Sequence, residues 1–165
     1  MIEKISTSYN SYSSVDDLTP IDKKLLKKAE KILEQAYSVY SGFSVGAAAL
    51  LDSGEIIAAN NQENIAFPSS MCAERVALYY CKANYPDVKV LKIAITAEAS
   101  SSKLIVPVTP CGACRQVMSE YERIQDTSIE VILKGEEGEV FVFDRVTDLL
   151  PLAFQTSALW NVSKY

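Results

Sequence analysis

Pro110-Cys111-Gly112-Ala113-Cys114-Arg115-Gln116 sets two thiols three positions apart, directly after a proline. Proline suits the entrance of a helix, so this stretch predicts a helix from Cys111 to Tyr121. Positions three apart at a helix start share a face, and two thiolates there can converge on one ion. A third cysteine stands 39 positions earlier in Met71-Cys72-Ala73-Glu74-Arg75. Val76, Ala77, Tyr80 and Ala83 follow it at helical spacing and predict a second helix over 72–83.

Outward from these two helices, helical and strand patterns alternate. Ser44–Leu51 and Glu55–Asn60 are apolar runs around Asp52-Ser53-Gly54, the pattern of a β-hairpin, and 61–70 is a loop punctuated by Pro68. Val88–Ala97 reads as a strand. Ile129–Lys134 and Val140–Phe143 are strands joined at the Gly135–Gly138 turn, and a short helix follows over Val146–Leu150. Toward the N-terminus, Thr19-Pro20-Ile21-Asp22 combines a capping hydroxyl, a proline for the first helical position and an acid for the dipole. Leu25, Ala29, Ile32, Leu33, Ala36 and Tyr40 continue this helix as one apolar stripe until Ser41-Gly42. Residues 1–17 form a polar arm or a short edge strand. The order α-β-β-α-β-α-β-β-α predicts a single α/β domain over 1–165, three layers α/β/α with one mixed sheet of about five strands.

Composition narrows the chemistry. The 165 residues are 48 % apolar and 22 % charged, ordinary for a globular domain with a real core. The net charge of −5 argues against a phosphate-gripping surface. Lys23, Lys24, Lys27, Lys28 and Lys31 are spaced as one solvated helix face. No apolar leader and no run of about 20 apolar residues is present, so a cytoplasmic protein without a membrane span is expected. In a reducing compartment four cysteines point to metal or redox chemistry rather than bridges. The chain has no histidine, which excludes Ser-His and Cys-His catalysis and His-ligated metal.

Three thiolates, Cys72, Cys111 and Cys114, leave one tetrahedral position of a Zn²⁺ open, which marks a catalytic zinc, one per chain. Helix N-termini lower thiolate pKa values. Three thiolates on Zn²⁺ still sum to a net −1, so a cation should compensate, with Arg75 first and Arg115 second. Glu74, two residues after Cys72, can lean over the open position and move protons. The pattern C-x-E…P-C-x-x-C is the Cys₃ form of the zinc deaminase signature. Cys81 has no such context and reads as a buried free thiol.

On these motifs the chain resembles the cytidine deaminase family, in its small, all-cysteine, homotetrameric type. The resemblance runs over about residues 20–155 and includes Tyr40-Ser41-Gly42-Phe43-Ser44-Val45-Gly46-Ala47-Ala48, Asn61-Gln62-Glu63-Asn64 and Leu149-Leu150-Pro151 with Phe154. It implies hydrolytic deamination of cytidine and 2′-deoxycytidine in pyrimidine salvage. Hydroxide activated at zinc would attack C4 while Glu74 shuttles protons. It implies that Phe43 packs on the pyrimidine and that Asn61 and Glu63 hold the sugar 3′-hydroxyl. Ala73 is also implied at the substrate. It further implies that Ala66, Phe67 and Phe154 serve a neighbouring chain's pocket in a homotetramer. Val39 and Ser44 stand where relatives often carry proline, and Phe67 where they often carry tyrosine. Three rivals share part of the pattern. One is a deaminase of an aminated nucleoside antibiotic of the blasticidin type, another a nucleic-acid-editing deaminase, and the last a non-catalytic structural zinc module. The N-x-E-N segment and Phe43 oppose the first, the acidic balance the second, and the idle Glu74 the third.

Overall fold

The structure is a computed structural model that describes residues 1–155; the part of the single-domain expectation beyond 155 lies outside the described residues. Its regular elements are β1 (Asn10–Tyr12), α1 (Pro20–Leu33), β2 (Phe43–Leu51), β3 (Ile56–Asn60), α2 (Ala73–Asn84), β4 (Val90–Ala99), α3 (Gly112–Gln125), β5 (Glu130–Lys134) and β6 (Val140–Phe143). All six strands lie in one sheet, in the order β1-β6-β5-β4-β2-β3. Among the named strands of the described residues only β4 and β5 pair in parallel, and α3 supplies the crossover that a parallel pair demands.

The sheet therefore has six strands rather than about five. The sixth is the arm, which pairs Asn10, Ser11 and Tyr12 with Val142, Phe141 and Val140. Without it β6 would present open backbone groups at a sheet edge. Tyr9 anchors the pairing, its ring centroid 4.6 Å from that of Phe141 and 5.1 Å from that of Phe143.

Two apolar layers sandwich the sheet. Leu25, Leu26 and Ala29 of α1 pack on Ala48, Ala94, Ile132 and Val142. On the opposite face Ala73, Ala77, Leu78 and Cys81 of α2 and Met118 of α3 pack on Ala47, Ala49, Ile93, Ile95 and Leu133. The small residues of β2 let helices approach from both sides. Gly46 marks the tightest point, because a Cβ there would lie 2.0 Å from the Ala29 carbonyl oxygen of α1.

Thr19 caps α1, accepting from the Asp22 amide at 3.3 Å, and Pro20 opens the helix. Asp22 does more than face a dipole: it is buried and accepts from Lys92 at 2.7 Å, and Lys92 also reaches Glu130 at 2.7 Å. The helix ends at Leu33 and not at Tyr40. Asn60 donates to the Ile32 carbonyl at 2.9 Å, and Tyr37 pairs its backbone with Asn61 and Glu63, so the chain leaves the helix to run beside that loop. Ala36 and Tyr40 thus fall outside α1. The expected stripe of α2 is also rotated. Ala77 is buried as expected, but Tyr80 is 50 % exposed and the inner face is Ala73, Ala77, Leu78 and Cys81. The last helix shrinks to a 3-10 turn, Val146–Asp148, whose first amides, those of Val146 and Thr147, donate to buried Glu122 together with that of Ile129. Among the described residues no helix is long and apolar enough to cross a membrane.

Candidate active site

Register brings three chain segments to one end of the sheet. Phe43 opposite Ala99 sets the start of β2 beside the end of β4, and Gly46 opposite Asn60 brings in the end of β3. The loops leaving β3 and β4 lead into α2 and α3, so both helices begin there. Sites in α/β sheets form at such strand ends, where loops and helix N-termini converge.

Cys72 is the N-cap of α2 and Cys111 the N-cap of α3, and neither side chain caps its own helix. Both thiols are left free to face elsewhere. Cys114 sits in the first turn of α3 and is fully buried. The Sγ atoms of Cys72 and Cys111 are 4.0 Å apart and those of Cys111 and Cys114 3.5 Å, with all three within 4.8 Å of one another. A tetrahedral zinc with Zn–S of about 2.3 Å needs sulfurs about 3.8 Å apart, so the set fits that ion. The Cys72 thiol is pushed down to about 5 by the neighbouring Cys114 thiol, against the cost of burial, and Arg75 pushes the same way. The same contact pushes Cys114 up.

Arg75, not Arg115, is the cation at the sulfurs. Its Nη2 donates to Cys72 Sγ at 3.5 Å. Arg115 spends its donors on the carbonyls of Pro110 and Leu149 and on the Thr109 hydroxyl, at 2.7, 3.0 and 3.0 Å. Glu74, in the first turn of α2, is only 4 % exposed, and its Oε2 has no hydrogen-bond partner. Burial pushes its carboxyl above the usual carboxylate range; its own backbone amide opposes this and the charge on Cys72 adds to it. A buried carboxyl oxygen with no partner beside three thiols is costly for folding alone.

The thiols open on a cavity of about 460 Å³ lined by Glu74, Arg75, Phe43, Asn61, Glu63 and Phe67 among others. Asn61 is buried, accepts from the Val45 amide at 2.8 Å and donates to the Phe43 carbonyl at 2.9 Å. Glu63 accepts from the Tyr40 amide at 2.8 Å and from the Ser41 hydroxyl. The Ser41 hydroxyl first, then the Tyr40 amide, hold its carboxyl below the usual range. Phe67 lines this chain's own cavity, 68 % exposed, its ring 5.9 Å from that of Tyr40. Ala66 and Phe154 are exposed and do not line it. Ala73 is buried and packs in the core. The Ser44 hydroxyl pairs with that of Ser38 at 2.8 Å.

Residues 19–130 match the family model described as the cytidine and deoxycytidylate deaminase zinc-binding region. The chain belongs to this deaminase family. A cytidine deaminase of Sporosarcina psychrophila is 39 % identical over 138 residues, covering 83 % of this chain and 93 % of that protein. One from Halalkalibacterium halodurans is 40 % identical over 130 residues, covering 79 % and 91 %. Among solved structures, the cytidine deaminase from Burkholderia pseudomallei superposes with a TM-score of 0.69 at 36 % identity, covering 83 % of this chain and all of that one. The fold is thus cytidine deaminase-like, with the zinc-binding region holding the three-cysteine cluster.

Several residues at this deaminase site escaped the sequence reading. Val108 and Thr109 line the cavity just before the Pro110-Cys111 motif, and adjacency was the available signal. Ser41 lines it too, two positions before Phe43. Gln116 clasps the C-terminal segment, donating to the Phe154 carbonyl at 2.9 Å and accepting from its amide at 3.1 Å. No local pattern marks that pairing, since the partners lie 38 positions apart. Cys81 is a buried free thiol as expected, pushed up to about 11 by burial.

Proposed function

We infer that the chain is a zinc-dependent cytidine deaminase, a hydrolase that converts cytidine and 2′-deoxycytidine to the uridines with release of ammonia. The observation that carries this reading is the partnerless, buried Oε2 of Glu74 beside the three-thiol cluster, at the floor of a cavity of about 460 Å³. The relatives described above are likewise cytidine deaminases.

Cys72, Cys111 and Cys114 would hold the zinc, which supplies a polarised, acidified water when bound. Glu74 would take one proton from the water that attacks C4 and pass it to ring N3. It would then move the second proton, from the hydroxyl now on C4, to the departing amino group, so that water and cytidine give uridine and ammonia. A carboxyl raised by burial is poised for both directions of transfer. Arg75 offsets charge on Cys72. Phe43 would stack on the pyrimidine. Asn61 and Glu63 would meet the 3′-hydroxyl, for after their bonds to the backbone Glu63 keeps a lone pair and Asn61 an N–H. That is one acceptor and one donor, the complement of one hydroxyl. Ala73 is included in this reading only through its place beside Glu74.

The working form is read as a homotetramer whose sites are completed by neighbours. Phe67 and Phe154 are 68 % and 63 % exposed, and Ile65, two residues before Phe67, is 76 % exposed. Phe154 is held by Gln116 outside its own chain's cavity, which supports a place for it, with Ala66, at a neighbour's pocket. A cytoplasmic setting is supported by four free cysteines. The chain is read as one domain because every named strand joins one sheet.

The test is ammonia release by purified, zinc-loaded protein from cytidine, with short single-stranded DNA and blasticidin S as competitors for the assignment. No release from cytidine at full zinc occupancy would overturn the reading. Glu74→Gln should keep its zinc and lose at least about 10²-fold in kcat.

A further inference from the structure

Glu63 does not stand free in the cavity. Its Oε2 accepts from the Tyr40 and Ser41 amides at 2.8 and 3.3 Å, and its Oε1 accepts from the Ser41 hydroxyl. Three of the roughly four lone-pair directions of a carboxylate are thereby taken. The Ser41 oxygen is itself two-sided: while its proton goes to Glu63, it accepts from the Phe43 amide at 3.0 Å. One hydroxyl thus links the cavity's carboxylate to the backbone of its aromatic residue.

The turn that carries Ser41 is held from both sides. Gly42 donates to the Ser38 carbonyl and accepts from the Ser100 amide, each at 2.8 Å. Its φ of +64° and the Ser100 hydroxyl, which a Cβ would meet at 2.2 Å, restrict that position to glycine. Asn61 then fixes the Phe43 carbonyl at 2.9 Å. Ser41 therefore sits on an anchored turn, and its hydroxyl decides which Glu63 oxygen is left to face a ligand.

We propose that Ser41 is a positioning residue for sugar recognition: its hydroxyl holds Glu63 so that a single lone pair is presented to one substrate hydroxyl. The proposal rests on the reading of this cavity as a nucleoside site. Ser41 acts through Glu63 and not on the reacting base, so its loss should appear in KM and spare kcat.

The experiment compares zinc-loaded parent, Ser41→Ala and Ser41→Thr proteins on cytidine and on 3′-deoxycytidine, with melting temperature and zinc content recorded. A hydrogen bond to a charged group contributes about 1.5–3 kcal/mol, so Ser41→Ala should raise KM for cytidine about tenfold or more. Its kcat should stay within about threefold, and Ser41→Thr, which keeps the hydroxyl, should restore KM. On 3′-deoxycytidine, which lacks the hydroxyl, Ser41→Ala and parent should have the same KM. An equal rise of KM on both substrates would mean that Ser41 only braces the loop and would overturn the proposal, as would an unchanged KM for cytidine. A parent protein inactive on cytidine would instead sink the deaminase reading itself.

Discussion

Replacing Tyr9 with alanine asks whether the N-terminal arm is a true sixth strand. Tyr9 is 49 % exposed, so about half of a tyrosine's roughly 200 Å² is covered, here by Phe141 and Phe143. At about 25 cal/mol per Å² that is ~2.5 kcal/mol against an extended chain, and less against a compact unfolded one. A further limit follows from the arm itself. Once Tyr9 is gone, residues 10–12 can fray and regain about 1–2 kcal/mol of freedom each, so the global loss cannot exceed the net docking energy of the arm. The expected result is a global loss of about 1 kcal/mol, or a melting temperature lower by ~2–4 °C for a domain of this size. Locally the effect should be larger. Amides of Asn10–Tyr12 and of Val140–Val142, which pair in the β1–β6 ladder, should exchange about tenfold faster or more, while β4 and β5 keep their protection. Hydrogen exchange read by mass spectrometry, beside thermal melts, makes the measurement. Unchanged exchange at Asn10–Tyr12 together with an unchanged melt would refute the reasoning, for the rings would then not be what holds the arm.

Two further outcomes follow from packing and charge. Gly46→Ala would drive a methyl to 2.0 Å from the Ala29 carbonyl oxygen, which is backbone and cannot swing aside, so a loss of about 2–3 kcal/mol in urea unfolding is expected; parent-like stability would show that α1 is not seated there. Lys92 has its pKa raised above the usual 10.5, since Asp22 and Glu130 outweigh the opposing effect of burial. A group raised on folding contributes stability that is full below its unfolded pKa and lost as pH rises through the folded one. The melting-temperature gap between parent and Lys92→Met should therefore be constant to about pH 10 and close above it; a gap independent of pH would contradict the ion pairs.

Arg75 illustrates how charge and local structure work together at the thiols. Placed one residue after Glu74 on α2, it turns back along the first turn and reaches Cys72 Sγ at 3.5 Å. Arg115 follows Cys114 one position further into its own helix, α3, and the Pro110 and Leu149 carbonyls claim its guanidinium. The two arginines look alike in sequence and differ in what surrounds them. Arg115 thereby ties the entrance of α3 to the C-terminal segment, and Gln116 repeats that tie at Phe154.

The metal set, the carboxylate beside it and most elements were readable from the chain alone. Spacing decides which thiols share a helix start, and the lack of histidine removes every ligand set that contains one. Hydrophobic period and turn residues place strands to within about two residues, because these signals act over a few positions. The length of α1 and the inner face of α2 were not readable, and the chain alone left residues 1–17 open between an arm and an edge strand. Each depends on partners remote in the sequence: Asn60 and Asn61 end α1, the sheet selects Ala73, Ala77 and Leu78, and the edge of β6 recruits the arm. The choice of Arg75 over Arg115, and the locking of Glu63 by Ser41, were likewise settled by the fold. Sequence determines which groups a segment can offer; only tertiary structure determines which neighbours compete for them, since hydrogen bonds and burial are fixed by distance in space.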